Sequence, residues 1–384
     1  MDNLRYWLGF NLVRGIGPSR MQMLLDVFGN VRAAWEAPEQ ALREIKLNRR
    51  ARRNLLQLRR EVDLDEVLLR AERAGAHVYT WDSPDYPALL RAIPDAPFVL
   101  FVRGEIIPAD EWSIALVGTR KATVYGREVA RRLSTDLVRS GVTVISGLAR
   151  GIDGIAHRAA LEAGGRTIAV MGSGVDYVYP AEHRKLAEEI AENGALVSDF
   201  PLGTRPEGSN FPARNRIISG LSLGTLVIEA GVRSGALITA DFALDQGREV
   251  FAVPGSILSS ASIGTNRLLR DGAHVVTGAG DILETLHLDN ITEKQLAREI
   301  LPENATEAAI FAQLSAEPRH LDMVVRAVAL PVETISSTLV MLELKGMVRQ
   351  VAPLQYVVAR EPDIAYILGD NEAEKGDQEL GIGG

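Results

Sequence analysis

The chain has 384 residues, of which 46% are hydrophobic and 24% are charged. This length predicts two or three domains, and this composition is typical of a soluble globular protein. The sequence contains no cysteine and no histidine pair at ligand spacing, so neither a disulfide nor a metal site is predicted. It also lacks a long apolar run and a basic leader followed by an apolar stretch, and a cytoplasmic location without a membrane anchor is expected.

The net charge of −8 is distributed unevenly along the chain. Residues 1–105 carry 16 basic and 14 acidic side chains, residues 106–285 carry 18 and 20, and residues 286–384 carry 8 and 16. The acidic excess therefore belongs to the last of these segments. Because a nearly neutral remainder can still concentrate basic side chains on one surface, the global charge does not exclude a nucleic-acid ligand.

Residues 1–80 are predicted to form a helical domain of the sterile-alpha-motif or helix-hairpin-helix type. Apolar residues recur at helical spacing on both sides of Gly15-Ile16-Gly17-Pro18, a sequence that favours a tight turn. An arginine-rich helical segment follows, with Arg49, Arg50, Arg52, Arg53, Arg59 and Arg60 close together. The proline-punctuated residues 86–104 are expected to connect this domain to the next one and to end in a short strand.

From Ser113 onward, short β-rich runs alternate with helix-length segments. The predicted strands are residues 113–118, 142–146, 167–172, 225–229, 249–254 and 274–277. This alternation predicts an α/β fold with a Rossmann-like, doubly wound and mostly parallel sheet over residues 81–288. Ligands of such sheets bind beyond the carboxyl ends of the strands, so the loops that follow the strands are the candidate site.

The C-terminal part is predicted to contain a linker over residues 289–305, a winged-helix domain over 306–360 and an acidic disordered tail over 361–384. Helices are expected at 307–314, 321–328 and 332–344, followed by a hairpin at 347–351 and 355–358. The third helix carries Glu333 and Glu343 and no arginine. Since duplex affinity depends on phosphate neutralisation, a duplex-binding transcription regulator is disfavoured, and a role in protein contact or regulation is favoured.

Two strand-end loops combine glycine with basic side chains, VGTRK at residues 117–121 and SGLARGID at 146–153. Glycine allows a sharp turn, and the free N–H groups of the following helix favour an anion. A surface turn with solvated cations is the alternative. Asp153 is interpreted as an N-cap, and His157 is expected to be packed or capping rather than catalytic. Neither the G-x-G-x-x-G fingerprint nor a Walker motif is present, so no nicotinamide cofactor and no ATP hydrolysis are predicted.

The third strand-end segment, GTRPEGSNFPARNRIIS at residues 203–219, is predicted to be a loop that places an aromatic ring among cations. Arg205, Arg214 and Arg216 surround Phe211 in sequence, with Asn215 between the last two. Single strands are bound by this combination, because bases stack on the ring while phosphates follow the charges. A core anchor beside Pro212 is the alternative role for Phe211.

A fourth strand-end segment, GTLVIE at residues 224–229, ends a predicted buried strand at Glu229. Such a carboxylate usually pairs with an arginine, which is the outcome expected here. Nucleotide phosphoribohydrolases on a related fold use G-T-x-x-E with a catalytic glutamate, so a phosphoribohydrolase-like enzyme using Glu229 is the alternative function. The spacing in this chain is one residue longer, which turns the side chain to the other face of a strand and disfavours the enzyme.

Together these segments resemble the DNA-processing protein A (DprA/Smf) family. The resemblance covers about residues 84–278 and rests on VGTR at 117–120, SGLARGID at 146–153, FPARNRIISGLS at 211–222, and EA at 229–230 with SGALITA at 234–240. It implies a non-enzymatic protein without a cofactor that binds single-stranded DNA during natural transformation. It also implies protection of incoming strands, loading of a RecA-type recombinase, and a homodimer formed through the Rossmann-like domain.

The resemblance implies a single-strand site as well. Its residues are Arg120, Ser146, Gly147, Arg150, Phe211, Arg214, Asn215 and Arg216, with Arg205 where many relatives have a lysine. Lys121 and Gly151 are assigned to the same site from the loop sequences in which they occur.

Overall fold

The computed structural model describes residues 3–45, 47–288, 304–315, 318–328, 330–344 and 347–358. The chain divides into two compact units, Met1–Ile291 and Thr292–Gly384. The predicted linker, apart from its last two residues, and the whole predicted acidic tail lie outside the described residues.

The N-terminal helices pack around a core of aromatic and aliphatic side chains. They are α1 (Leu4–Leu12), α2 (Pro18–Phe28), α3 (Val31–Glu36), α4 (Glu39–Glu44), α5 (Arg49–Glu61) and α6 (Leu64–Arg73). Trp7 and Phe10 are fully buried, and the Phe10 ring meets Trp35 edge-on with 5.2 Å between centroids. The predicted tight turn is confirmed, because α2 begins at Pro18 directly after Gly17, where a missing N–H is tolerated.

The prediction of helix up to residue 80 is wrong at its end. Residues His77–Thr80 form β1, which pairs antiparallel with β2 (Val99–Gly104) after the short helix α7 (Ala88–Arg91). β-Branched and aromatic side chains in His-Val-Tyr-Thr favour a pleated strand, and Tyr79 is buried. The short strand predicted at the end of residues 86–104 is confirmed.

The remaining strands of the large sheet follow in chain order as β3 (Ser113–Val117), β4 (Thr143–Ser146), β5 (Thr167–Val170), β6 (Ala195–Ser198), β7 (Gly224–Val227), β8 (Glu249–Ala252) and β9 (His274–Val275). Among the described residues, the sheet has nine strands in the order β1-β2-β6-β5-β4-β3-β7-β8-β9. All pairs from β6 to β9 are parallel, while β1–β2 and β2–β6 are antiparallel. The sequence does not predict the strand β6, because a run of three apolar residues followed by Ser198 is too short for periodicity to separate a strand from a helix.

Helices cover both faces of this sheet. They are α8 (Val124–Arg139), α9 (Ile152–Glu162), α10 (Arg184–Asn193), α11 (Asn210–Gly220), α12 (Gly235–Asp245), α13 (Ile263–Arg270) and α14 (Ala279–Thr285). One core joins α8, α9 and α14 to the face that presents Ile114 and Leu116, and another joins α11 and α12 to the face that presents Ala115 and Val117. The doubly wound prediction is therefore confirmed, and the strand order reverses between β3 and β7.

The loop predicted over residues 203–219 is wrong from Asn210 onward, because these residues begin helix α11. Pro212 lies in the first turn of the helix, where its missing N–H has no intrahelical partner to lose. Ile217 and Ile218 are buried against the sheet. Phe211 and Arg214 are therefore carried by a rigid helix rather than by a loop.

The C-terminal unit has the predicted winged-helix composition. It contains α15 (Ala305–Phe311), β10 (Arg319–His320), α16 (Leu321–Val328), α17 (Val332–Leu344), β11 (Val348–Ala352) and β12 (Gln355–Val358), with strand order β10-β12-β11. Its core includes Ile310, Val324 and Leu339. Glu343, on the third helix, accepts the backbone N–H of Gln350 at 3.0 Å, so its carboxylate braces the hairpin.

Within the described parts of the chain, no single helix is long and apolar enough to cross a membrane. The bent pair Leu321–Val328 and Val332–Glu343 reaches the necessary length and apolarity together, by length and composition alone.

Candidate nucleic-acid interface

A cavity of about 640 Å³ opens beyond the carboxyl ends of β3 and β7, where the strand order reverses. Its walls are the loop after β3, the start of α9, one side of α11, and the loop between β7 and α12 together with the start of α12. We call it the switch-point cavity. Its cationic and aromatic lining consists of Arg120, Phe211, Arg214 and Arg233.

The Phe211 ring lies between two cations at the wall of this cavity. The guanidinium carbon of Arg120 is 5.2 Å from the ring centroid, and that of Arg214 is 5.9 Å away. The Tyr179 ring is tilted by 43° to it, with 5.8 Å between centroids. Phe211 is half-buried, so part of its surface is exposed at the cavity wall.

Arg214 is a buried cation behind that ring, with 4% of its surface exposed. It donates to the carbonyl oxygens of Gly147, at 2.7 Å, and Val170, and its Nε donates to Oδ1 of Asn215 at 3.0 Å. Burial lowers the pKa of Arg214 to about 10, so the side chain stays charged at neutral pH. Glycine at position 147 makes room for this arrangement, because a Cβ there would displace the Arg214 guanidinium.

Asp153 does not cap α9, contrary to the sequence interpretation. The N-cap is Gly151, and the Asp153 carboxylate instead accepts the N–H groups of Gly147 and Ala149, at 3.2 and 3.3 Å. Burial raises the pKa of Asp153, while the nearby Arg214 favours its charged form. The carboxylate thus ties the loop after β4 to the helix that follows it.

Gly151 allows two strand-end loops to approach each other. Its φ of +76° lies in the left-handed region, and a Cβ would collide with the carbonyl group of Thr119. The next residue, Ile152, donates its N–H to that carbonyl at 3.2 Å. The loop that carries Arg120 is therefore held against the start of α9.

The structure separates several predicted site residues from the cavity. Ser146 is fully buried, and its Oγ donates to the Leu116 carbonyl at 2.6 Å. Arg216 donates to the carboxylate of Asp199 and lies 3.4 Å from that of Asp95. These two side chains support the fold beside the cavity and do not line it.

Three further predicted cations are exposed but lie outside the cavity lining. Arg150 is held by Glu182 through two hydrogen bonds of 2.8 Å. Lys121 and Arg205 are exposed to solvent. The cavity therefore brings together Arg120, Phe211, Arg214 and Asn215 from the predicted set, and Gly147 and Gly151 shape its wall.

Glu229 does not pair with an arginine, so that expectation is wrong. It is 2% exposed, and its carboxylate accepts the backbone N–H of Thr123 at 3.0 Å together with the Thr123 hydroxyl. The carboxylate thus stabilises the start of α8 and is absent from the cavity lining. A strand-end carboxylate can be satisfied by a helix terminus as well as by a cation.

His157 is packed, as expected. It is fully buried, and its Nδ1 lies 2.7 Å from the Thr167 hydroxyl. Burial lowers the pKa of His157 to about 3, so the imidazole is neutral at physiological pH.

Sequence reasoning does not identify two residues of the candidate interface. Arg233 is exposed on the loop between β7 and α12 and lines the cavity, and Tyr179 stands beside Phe211 after β5. The rule that identified Arg120, a cation next to glycine in a strand-end loop, applies equally to Gly231–Ser234. For Tyr179 the signal was an aromatic residue before a proline in another strand-end segment.

The fold and the cavity define an α/β protein with a doubly wound sheet and a candidate ligand site at its topological switch point. A family model described as DNA recombination-mediator protein A matches residues 77–287, and one described as the DprA winged helix domain matches residues 281–352. The chain therefore belongs to the DNA-processing protein A (DprA/Smf) family.

Individual relatives agree with this assignment. Protein Smf from Synechocystis is 34% identical, over 91% of this chain and 98% of its own. The crystal structure of DNA processing protein A from Streptococcus pneumoniae, 34% identical, matches with a TM-score of 0.65 over 74% of this chain and 97% of that one. A structure described for its single-stranded DNA binding mode, DNA processing protein A from Helicobacter pylori, is 29% identical and matches with a TM-score of 0.50 over 56% of this chain and 98% of that one.

Proposed function

We propose that this protein binds single-stranded DNA at the switch-point cavity, without marked sequence preference and without catalysing a reaction. The observation that carries the proposal is the half-buried Phe211 ring between Arg120 and Arg214. Every base has a π-face, so stacking on such a ring tolerates any sequence. The single-strand binding described for the Helicobacter pylori relative supports the same ligand.

The cations of the cavity have separate roles in this proposal. Arg214 makes its hydrogen bonds to the protein, so it positions Phe211 and contributes a fixed positive charge. Arg120 and Arg233 are exposed at the cavity wall and can follow the phosphates. A base on Phe211 would thus be flanked by backbone contacts at two strand-end loops.

A non-enzymatic role is favoured by how the carboxylates are used. Asp153 accepts two backbone N–H groups, and Glu229 is held at the start of α8 away from the cavity. Glu229 has no open position for a general base, and the Asp153 carboxylate, which lines the cavity, is committed to two backbone N–H groups and lies near the charged Arg214. The carboxylate on which the phosphoribohydrolase alternative depends therefore lies outside the cavity lining.

The wider role follows from the family. We infer that the bound strand is protected and handed to a RecA-type recombinase during transformation or recombination in the cytoplasm, by a homodimer formed through the Rossmann-like domain. We retain the domain boundaries 1–80, 81–288 and 306–360 as part of this proposal, except that β1 (His77–Thr80) belongs to the sheet of the second domain. The other exposed cations assigned from the sequence, Lys121, Arg150 and Arg205, are proposed as outer contacts of a longer strand.

A salt series of gel-shift measurements tests the substrate. Single-stranded and duplex DNA of equal length are compared, and the single strand should bind more tightly because its bases are free to stack. Equal or stronger binding of the duplex at moderate salt would contradict the proposal. Deleting residues 290–384 should leave single-strand binding largely unchanged, because residues 286–384 carry 16 acidic and 8 basic side chains.

A further inference from the structure

Helix α5 carries more arginine than its packing requires. The helix buries Ala51 and Leu55, and one of its arginines, Arg59, donates to the carbonyl oxygens of Ala34 and Ala37. The others point away from the core around a shallow depression of about 840 Å³ that α4 also borders. We define the arginine surface as the arginines that line this depression, Arg43, Arg49, Arg50, Arg52, Arg53 and Arg60.

The charges of the arginine surface are not balanced locally. Arg43 pairs with Glu39 at 2.6 Å, but within the described residues no carboxylate lies within ion-pair distance of the other five arginines. Several exposed helices elsewhere in the molecule balance some of their cations with a carboxylate one turn away. Examples of such pairs are Glu66–Arg70, Arg132–Asp136 and Arg267–Asp271.

Helix stability does not explain this composition either. Arg49, Arg50 and Arg52 occupy the first turn of α5, where the helix dipole is positive and cations are unfavourable. Arg49 and Arg53 are also one turn apart, and like charges at that spacing repel each other. Both effects are relieved by a bound polyanion, so the sequence of α5 is one that an anionic ligand would stabilise.

The residues that line this depression indicate which kind of anion it can bind. Besides arginines it is lined by Glu39, Leu56, Gln57 and Glu61, and no aromatic ring is among the described residues around it. It therefore offers no stacking platform for bases. Guanidinium groups match phosphate oxygens in a bidentate manner, and a row of them matches phosphates that repeat along a chain.

We propose that the arginine surface is a second nucleic-acid contact, which binds the phosphodiester backbone of single-stranded or duplex DNA by charge alone. It is separate from the switch-point cavity, where a base stacks. A strand long enough to leave the cavity gains additional affinity at this surface, whereas a short oligonucleotide does not. The contact goes beyond the proposed function, and its existence does not depend on how bases are bound.

The test compares three triple variants. R49Q/R50Q/R53Q removes three exposed charges, R49K/R50K/R53K keeps the charges, and R70Q/R131Q/R267Q removes three exposed arginines that already have acidic partners. Binding of oligothymidylates of about 6 and about 40 nucleotides, and of a duplex, is measured by fluorescence anisotropy over a salt series. Thermal melting of each variant verifies that it is folded.

The glutamine variant of α5 should bind the short oligonucleotide like the parent. With the long one, its salt slope should fall by about 2, since each phosphate contact on a single strand contributes about 0.7. Duplex binding should weaken as well, because no stacking is involved. The lysine variant and the R70Q/R131Q/R267Q control should keep the parent slopes.

Three outcomes would overturn the proposal. The first is that the salt slopes of R49Q/R50Q/R53Q equal those of the R70Q/R131Q/R267Q control. The second is that its loss of affinity is equally large with the short oligonucleotide. The third is that it loses binding only to vesicles of anionic phosphatidylglycerol. Phe211→Ala on the short oligonucleotide separates the two sites. If that change leaves short-strand binding intact while R49Q/R50Q/R53Q still lowers the long-strand slope, the cavity proposal fails and the arginine surface stands.

Discussion

The switch-point cavity and the arginine surface both concentrate arginine, but they hold it in different ways. In the cavity, Arg214 is buried and bonded to backbone carbonyls, and Arg120 lies over an aromatic ring. The arginines of the arginine surface are largely solvated, and no aromatic ring is among the described residues that line it. The difference teaches that a fixed geometry around a stacking platform suits bases, whereas loosely held cations suit a backbone of any sequence.

The largest effect is expected on stability, from replacing Arg214, the buried cation of the cavity. Arg214→Ala leaves the carbonyl groups of Gly147 and Val170 without their donor and removes the positive charge near the buried Asp153. The free energy of unfolding should fall by about 3–5 kcal/mol. Urea denaturation measures this loss, and R53Q on α5 is the comparison variant, with a change of less than about 0.5 kcal/mol. If Arg214→Ala loses no more stability than R53Q, the cavity does not hold its arginine more firmly than α5 does, and the contrast between the two regions fails.

A pH series tests the packing beneath the cavity. His157 has its pKa lowered from 6.5 to about 3 by burial, so the unfolded chain binds more protons than the folded one between these values. The free energy of unfolding should therefore fall as the pH drops below 6.5, by up to about 1.4 kcal/mol per pH unit. Urea denaturation at about pH 7.5 and about pH 5 measures the slope. His157→Gln should reduce this dependence, and an unchanged slope in that variant would contradict the assignment.

Phe211→Ala tests whether stacking is confined to the cavity. Loss of the platform should weaken single-strand binding by about 1–3 kcal/mol, and the salt slope should hardly change because no phosphate contact is lost. Titration across salt concentrations and thermal unfolding are measured together. A strongly depressed melting temperature with normal binding would make Phe211 a packing residue instead.

The smallest effect concerns single exposed cations. Arg120→Gln should reduce the single-strand salt slope by about 0.7, the contribution of one phosphate contact. Arg131→Gln is the control, because its side chain is exposed on α8, is paired with Glu128 and lies outside the cavity lining. Equal salt slopes for both variants would mean that Arg120 makes no specific phosphate contact at the cavity wall.

Much of this architecture could be predicted from the sequence. Apolar runs alternating with helical segments identified six of the seven strands from β3 to β9, and the helices and hairpin of the winged unit were placed within a few residues. The strand-end rule located Arg120 and Phe211. What it could not determine was the direction of each side chain, because that depends on local backbone geometry and on distant partners.

Arg216 illustrates the effect of local backbone geometry, and Arg150 illustrates the effect of a distant partner. With residues 203–219 taken as a loop, Arg214 and Arg216 were placed in one site. On helix α11, two residues turn the side chain by about 200°, which sends Arg216 to Asp95 and Asp199 instead. Glu182, which holds Arg150, is 32 residues away in sequence, and periodicity contains no information on such a contact.

The central claim is that the switch-point cavity binds bases by stacking on Phe211. An oligothymidylate and an abasic strand of equal length carry the same phosphates, so their difference in affinity isolates the contribution of the bases. The parent protein should prefer the oligothymidylate by about 1–3 kcal/mol, and Phe211→Ala should lose most of that preference while its affinity for the abasic strand is retained. Equal affinity of the parent for both strands, or an undiminished preference in Phe211→Ala, would contradict the claim.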